Sequence, residues 1–273
     1  MSETLEFARV LAIGGSDPSG GAGIQADIKT GAAMGVDVCT VITAVTAQNS
    51  LGVQAVEPVP LEMVNAQLSS VCSDISIQAV KIGMLFDDAR IEAVADAILA
   101  YSLGNVVCDP VLASTSGTDL LSTAGVKRLA SMLPLFSLLT PNVREAAVLS
   151  GREVRNSSEL LDAGRALLDL GARAVLLKGG HLEGADSTDS LLQRSSPEVI
   201  RFTEVRVGTK NDHGTGCVLS SGIASGLALG FALPEAIASA RTFLQRVIEQ
   251  SVHLHGVAGR RGMNLVHVGA SKL

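Results

Sequence analysis

Apolar positions along the chain alternate between short continuous runs and helical stripes. Val10-Leu11-Ala12-Ile13 is a run that ends at Gly14-Gly15, and Val38 to Val45, Ala79 to Ile82, Asn105 to Cys108 and Ala174 to Leu177 repeat it. Runs that are apolar at nearly every position, rather than every second one, mark strands covered on both faces. Between them the spacing changes to three and four. Leu61, Val64, Leu68, Val71 and Cys72 form one stripe, Ile91, Val94, Ile98 and Leu99 another, and Leu160, Leu161, Leu167 and Leu168 a third. Ile24 to Thr30 predicts a helix after the first glycine loop. Leu219, Ile223 and Leu227 predict one after Gly216, and Leu233, Ile237, Ala240, Phe243, Leu244, Val247 and Ile248 a long amphipathic one. Repeated strand and helix alternation predicts a mostly parallel central sheet in a three-layer α/β/α fold. Ser187 to Leu192 and Val199 to Val205 predict an antiparallel pair late in that sheet.

The breaks at Ser114-Thr115-Ser116-Gly117 and Ser195-Ser196-Pro197 read as ordinary loops, and no internal repeat interrupts the pattern. A chain of 273 residues exceeds the usual domain prior, yet α/β units reach about 250 residues as one, so residues 1–273 are expected to form a single domain. The 27 acidic residues outnumber the 21 lysines and arginines, which gives no general attraction to nucleic acid or anionic membrane. Only 3% of residues are aromatic, so base stacking is not the expected mode of recognition. The first twelve residues carry interrupting charges, and no later apolar run approaches the roughly 20 residues a spanning helix needs, so a cytoplasmic, membrane-free protein is expected. Cys39, Cys72, Cys108 and Cys217 are too sparse for a disulfide scaffold and lack C-x-x-C metal spacing.

The densest chemistry lies in Asn211-Asp212-His213-Gly214-Thr215-Gly216-Cys217, just before a helical stripe. Gly214 and Gly216 allow close backbone approach, and amide N–H groups at a helix N-terminus suit an anion such as phosphate. Cys217 at that terminus is a candidate base or polar contact, its thiolate favoured by the helix; a buried cysteine after a glycine turn fits the same letters. Neither a Walker loop nor a G-x-G-x-x-G fingerprint occurs. Asp109 and Lys178 end strand runs, where α/β folds bind ligands. Asn142 and Glu145 have the spacing of a capping box and equally that of an oxygen pair for Mg²⁺.

Seven segments carry a resemblance. They are Gly15-Ser16-Asp17-Pro18-Ser19-Gly20-Gly21-Ala22-Gly23-Ile24-Gln25-Ala26-Asp27, Thr43-Ala44-Val45-Thr46-Ala47-Gln48-Asn49, Lys81-Ile82-Gly83-Met84, Asp109-Pro110-Val111, Thr140-Pro141-Asn142, Lys178-Gly179-Gly180-His181 and His213-Gly214-Thr215-Gly216-Cys217. In order, they resemble the hydroxymethylpyrimidine/phosphomethylpyrimidine kinases of thiamine biosynthesis, within the ribokinase-like superfamily. The resemblance implies ATP-dependent phosphorylation of 4-amino-5-hydroxymethyl-2-methylpyrimidine and then of its monophosphate, with Mg²⁺, in a homodimer.

It also implies roles. Gly15, Asp27 and Gln48 match positions at the aminopyrimidine, and Thr46, Met84 and Val111 its pocket wall. Asn142 and Glu145 match the superfamily's N-x-x-E metal and phosphate motif, with Asp109 beside them. Lys178 matches an ATP-contacting lysine, and Thr209 and Asn211 match a nucleotide-side segment. Gly214, Gly216 and Cys217 match the catalytic loop. Gly259-Arg260-Arg261-Gly262-Met263-Asn264 departs from the family's Gly-x-Gly-Pro-x-Asn pattern. The alternatives are a pyridoxal kinase, against which Gln48 speaks, and a non-catalytic vitamin-binding regulator, against which the set Asp109, Asn142, Glu145 and Lys178 speaks.

Overall fold

Both faces of the apolar strands are covered, as the continuous runs require. A computed structural model describes residues 7–49, 51–113, 120–179, 186–208 and 213–251. The strands are β1 (Arg9–Ser16), β2 (Asp37–Asn49), β3 (Gly52–Pro58), β4 (Ala79–Ile82), β5 (Val106–Cys108), β6 (Leu138–Leu139), β7 (Ala174–Leu177), β8 (Asp186–Gln193) and β9 (Ser196–Val205). They form one sheet in the order β3-β2-β1-β4-β5-β6-β7-β8-β9. The central strands from β2 to β7 in that order run parallel; β3 pairs antiparallel with β2, and β8 and β9 extend the other edge antiparallel.

Period-two alternation divides the core. Leu11 and Ile13 of β1 face one helix layer, α2 (Leu61–Asp74), α3 (Asp88–Ala100), α4 (Thr123–Ser131), α5 (Val143–Ser150) and α6 (Ser157–Asp169). Val10, Ala79, Val107 and Leu176 face the other, where α7 (Thr215–Ala228) and α8 (Leu233–Ser251) contribute Leu219, Ile223, Ile237 and Ala240. The helix α1 (Gly23–Ala33) packs against β1 and α7. A fully buried Leu or Ile contributes about 1.5–3 kcal/mol, so truncating Leu176 to Ala is expected to cost about 2–5 kcal/mol.

The chain leaves β1 towards β2 in one direction and reaches β4 in the other, so the topological switch point lies between β1 and β4. At such a point the helices on the two sides diverge and leave a crevice above the carboxyl ends of the strands. The antiparallel pair β8–β9 and the long helix α8 match the sequence pattern. Three elements depart from it. The strand β3 is an edge strand with exposed polar positions, β6 is two residues long, and α4 is a short helix whose apolar face is little more than Val126 and Leu129. The strand β2 runs four residues past Val45, which puts Gln48 on a strand rather than in a loop.

Candidate active site

Parallel strands bring residues far apart in sequence to one edge, and here backbone hydrogen bonds carry the pairing past the strand ends. Gly83 N–H donates to Ile13 O, Asp109 N–H to Ile82 O, Thr140 N–H to Cys108 O and Lys178 N–H to Pro141 O, all at 2.8–2.9 Å. Asn142 and Lys178 also form an isolated parallel bridge. The side chains at this edge are therefore held by sheet geometry rather than by free loops.

Lys178 stands at the centre of one cluster. Its Nζ lies 2.7 Å from Asp109 Oδ1 and 3.8 Å from Glu145 Oε2, and its side chain is 15% exposed. Burial works against the lysine cation, but Asp109 and Glu145 outweigh it and hold its pKa above the ordinary value. Burial pushes the Glu145 carboxyl up to about 7, with Lys178 pulling the other way. Asn142 caps α5: its side chain accepts from Glu145 N–H at 2.9 Å while Glu145 Oε2 accepts from Asn142 N–H at 2.7 Å. The capping box and the oxygen pair are the same atoms, because the cap fixes the carboxylate that faces Lys178.

The N-terminus of α7 closes this cluster. Its N-cap Gly214 has φ 82° and offers no side-chain cap, and any side chain there would overlap Gly21 O. At Gly216 an added Cβ would sit 3.1 Å from Asp109 Oδ2 and 3.4 Å from Lys178 Nζ. Glycine thus lets the helix N-terminus, with its partial positive charge, lie directly over the lysine and two carboxylates. Two carboxylates without a third close ligand suit a hard divalent cation that completes its shell with water and phosphate oxygens. Among the described residues no group of three or more His, Cys, Asp or Glu could hold a metal ion alone.

A second lysine–carboxylate pair lies at the switch point. Alternation in β4 turns Lys81 towards α1 and α7, where Nζ lies 2.8 and 2.9 Å from the two Asp27 oxygens and Ser221 donates to Asp27 Oδ1 at 2.6 Å. Both side chains are 1% exposed. Burial opposes the Lys81 cation, yet Asp27 holds its pKa above the ordinary value. Cys217 lies one helical turn before Ser221 and takes a hydrogen bond from Gly23 N–H. Burial pushes its thiol up to about 11, with Lys81 the main opposing influence.

The crevice at the carboxyl ends of β2, β1 and β4 holds the remaining candidates. Gly15 backs onto Met84, whose Cε would be 2.7 Å from an added Cβ. Thr43 donates to Met84 O at 2.6 Å and Thr46 to Ser16 O at 2.9 Å. Gln48 Nε2 lies 3.2 Å from His213 Nε2, which is itself 3.1 Å from Asp17 Oδ2. Asp17 is held down to about 2: burial works to raise it, but hydrogen bonds from His213, Ser19 and Ala22 prevail. An ionised Asp17 can only accept, so its hydrogen bond with His213 uses a proton on Nε2.

A family model for phosphomethylpyrimidine kinase matches residues 17–261. The chain belongs to the phosphomethylpyrimidine kinase family. The hydroxymethylpyrimidine/phosphomethylpyrimidine kinase of Escherichia coli is 45% identical over 258 residues, 93% of this chain and 96% of that one. The crystal structure of phosphomethylpyrimidine kinase from Clostridium difficile superposes with a TM-score of 0.78 at 37% identity, covering 88% of this chain and 99% of that one. An ADP complex of Bacillus subtilis pyridoxal kinase superposes with a TM-score of 0.86 at 32% identity, covering 94% and 98%. The three-layer α/β fold with its mostly parallel sheet is thus that of the ribokinase-like kinases.

For a phosphomethylpyrimidine kinase family member, most of the residues expected at the site do converge. Asp109, Asn142, Glu145, Lys178, Gly214 and Gly216 gather at one end, and Gly15, Thr46, Gln48 and Met84 at the switch-point crevice, with Val111 on the partly exposed turn after Asp109. Asp27 is already engaged: Lys81 and Ser221 donate to its oxygens, and the Lys81 and Asp27 side chains are 1% exposed. One expectation needs correction. The helix N-terminus does not leave Cys217 as a resting thiolate, because burial outweighs Lys81, whose charge Asp27 largely cancels. Thr209, Asn211, His181 and the 259–264 segment lie outside the described residues. Sequence reasoning quoted Lys81, Asp17 and His213 within the resembling segments but gave none of them a role. A lysine inside an apolar central strand is the signal that could have found the first, since such a residue is almost never fully buried unpaired. No helix among the described residues is long and apolar enough to cross a membrane.

Proposed function

We propose that the chain transfers the γ-phosphoryl group of ATP to the hydroxyl of 4-amino-5-hydroxymethyl-2-methylpyrimidine, and then phosphorylates the resulting monophosphate. The reading rests above all on one observation: Lys178, Asp109 and Glu145 meet under the glycine N-terminus of α7, a short way from a crevice bearing Gln48 and Met84. The first group handles phosphate charge, and the second reads a small heterocycle.

The Gln48 amide has a donor and an acceptor to match an aminopyrimidine edge, and Gly15, Thr46, Met84 and Val111 form its walls. Lys178 neutralises charge on the transferring group, and the α7 backbone N–H groups receive its oxygens in line with the incoming hydroxyl. Such transfers proceed through loose transition states, so positioning and electrostatics supply most of the acceleration and a strong base is not required. Cys217, a thiol at rest, serves as a polar contact to the substrate side. Asp109 and Glu145 would hold Mg²⁺, which supplies further neutralisation of phosphate charge. Asn142, Thr209 and Asn211 keep the nucleotide-side role that the family resemblance gives them.

A single domain over residues 1–273, a cytoplasmic location and a homodimer belong to the same reading; sedimentation equilibrium checks the last. The likeness to pyridoxal kinases favours a second activity, phosphorylation of pyridoxal. Turnover of the hydroxymethylpyrimidine, its monophosphate and pyridoxal is compared side by side. The reading requires the pyrimidines to be preferred, and Gln48→Ala to raise the pyrimidine KM about tenfold or more while leaving pyridoxal little changed. A preference for pyridoxal would overturn it.

A further inference from the structure

A third buried ion pair lies away from the switch-point crevice. Asp189 on β8 and Arg241 on α8 are 4% and 5% exposed, and Arg241 Nη1 donates to Asp189 Oδ2. Arg241 Nη2 also donates to Ser187 O at 3.0 Å and lies 3.5 Å from Glu204 Oε2 on β9. The other Asp189 oxygen, Oδ1, accepts from Gly179 N–H at 2.9 Å. Gly179 directly follows Lys178, and any side chain on it would overlap Thr188 O. The loop that carries Lys178 is thus pressed against β8 and pinned there by a carboxylate whose direction Arg241 sets.

We propose that Asp189 and Arg241 are positioning residues for the phosphate end of the site, acting on nucleotide binding through Gly179 and Lys178 and not on the pyrimidine end. The geometry separates the two ends. Lys178 N–H is tied to Pro141 O on the strand side, and the Gly179 N–H to Asp189 bond fixes the residue immediately beyond it. A shift there displaces Nζ relative to Asp109 and Glu145. The crevice residues Gly15, Thr46, Gln48 and Met84 have no hydrogen bond to this network among the described residues. A buried pair maintained only for stability would need no bond to an active-site loop, and well-packed apolar residues often replace such pairs without loss.

The proposal rests on the kinase reading above, and its test keeps the two apart. Equilibrium Kd for a non-hydrolysable ATP analogue with Mg²⁺, KM for ATP and KM for the hydroxymethylpyrimidine are measured with melting temperature in the full-length protein and three variants. Asp189→Ala removes both bonds and is expected to weaken ATP-analogue binding and raise the ATP KM about tenfold or more, with the pyrimidine KM within about twofold. Asp189→Asn keeps a carbonyl acceptor for Gly179 while losing the charge, and is expected to recover most of the nucleotide affinity even if melting falls. Arg241→Lys, which keeps the charge without the fork, is expected to lie between them. If Asp189→Ala does not fold, the Asp189→Asn and Arg241→Lys pair carries the same comparison. Equal loss in both KM values, or lower melting with unchanged nucleotide affinity, overturns the proposal. Failure of the unsubstituted protein to bind nucleotide at all overturns the kinase reading, and the proposal with it.

Discussion

Two lysines with carboxylate partners lie at the carboxyl edge of the same sheet, and they differ in closure and charge balance. Lys81 has one partner, Asp27, and both side chains are sealed at 1% exposure. Lys178 has two partners, Asp109 and Glu145, and is partly open. The sealed pair matches one cation to one carboxylate, with Ser221 as a further donor to Asp27. The open cluster sets two carboxyl groups against one cation beside a helix N-terminus, so it retains capacity for a cation and a phosphate. A buried lysine is therefore no indicator of a catalytic group by itself; the number of its partners and the access left to it decide.

The sharpest way to break this contrast is to remove each cation. Lys81→Met strands the Asp27 carboxylate in a sealed site and is expected to cost about 3–5 kcal/mol in a denaturant titration. Adding Asp27→Leu to it is expected to return most of that stability, since an apolar pair replaces the ion pair. Lys178→Met also leaves Asp109 and Glu145 without their cation and so costs stability too, but unlike Lys81→Met it is expected to lower kcat of the folded protein on the order of 10²- to 10³-fold. If the two substitutions give the same profile, the distinction between a structural pair and a phosphate-handling cluster fails.

Smaller effects concern protons. Burial raises Glu145 from the ordinary 4.5 to about 7 in the folded protein, so the folded state holds the extra proton between those values. Its contribution to stability is full below pH 4.5 and is lost as pH rises through about 7. Glu145→Gln is therefore expected to flatten the fall in stability between pH 5 and 8 by about 2 kcal/mol, read by thermal melts across that range. Turnover of Glu145→Gln should fall at every pH. Smallest is the thiol: alkylation of Cys217 by iodoacetamide should still be accelerating above pH 9, as a group held at about 11 requires. An inflection below pH 8 would restore the resting thiolate.

The contrast also shows what the sequence makes legible. Continuous apolar runs revealed β4 and β7 to the residue, because a strand covered on both faces leaves no ambiguity of period, whereas β1 continues through Gly14-Gly15 to Ser16. The strands β3 and β6 escaped: one is exposed at an edge and the other is too short to carry a period. Asp109, Glu145 and Lys178 were legible because each sits at the end of a strand run or in a cap-spaced pair. Asp27 was legible as important, but its buried partner was not. Its partner Lys81 is 54 residues away, and pairing across a sheet–helix interface leaves no mark in local spacing. His213 and Asp17, 196 residues apart, were hidden for the same reason.

The central claim is that the open cluster and the switch-point crevice together phosphorylate an aminopyrimidine. Product analysis with γ-labelled ATP and Mg²⁺ tests it most directly. The account predicts label first in the hydroxymethylpyrimidine monophosphate and then in the diphosphate, with Lys178→Met slowing both on the order of 10²- to 10³-fold. No transfer of label to either pyrimidine at saturating ATP, by a protein shown to be folded, would contradict it.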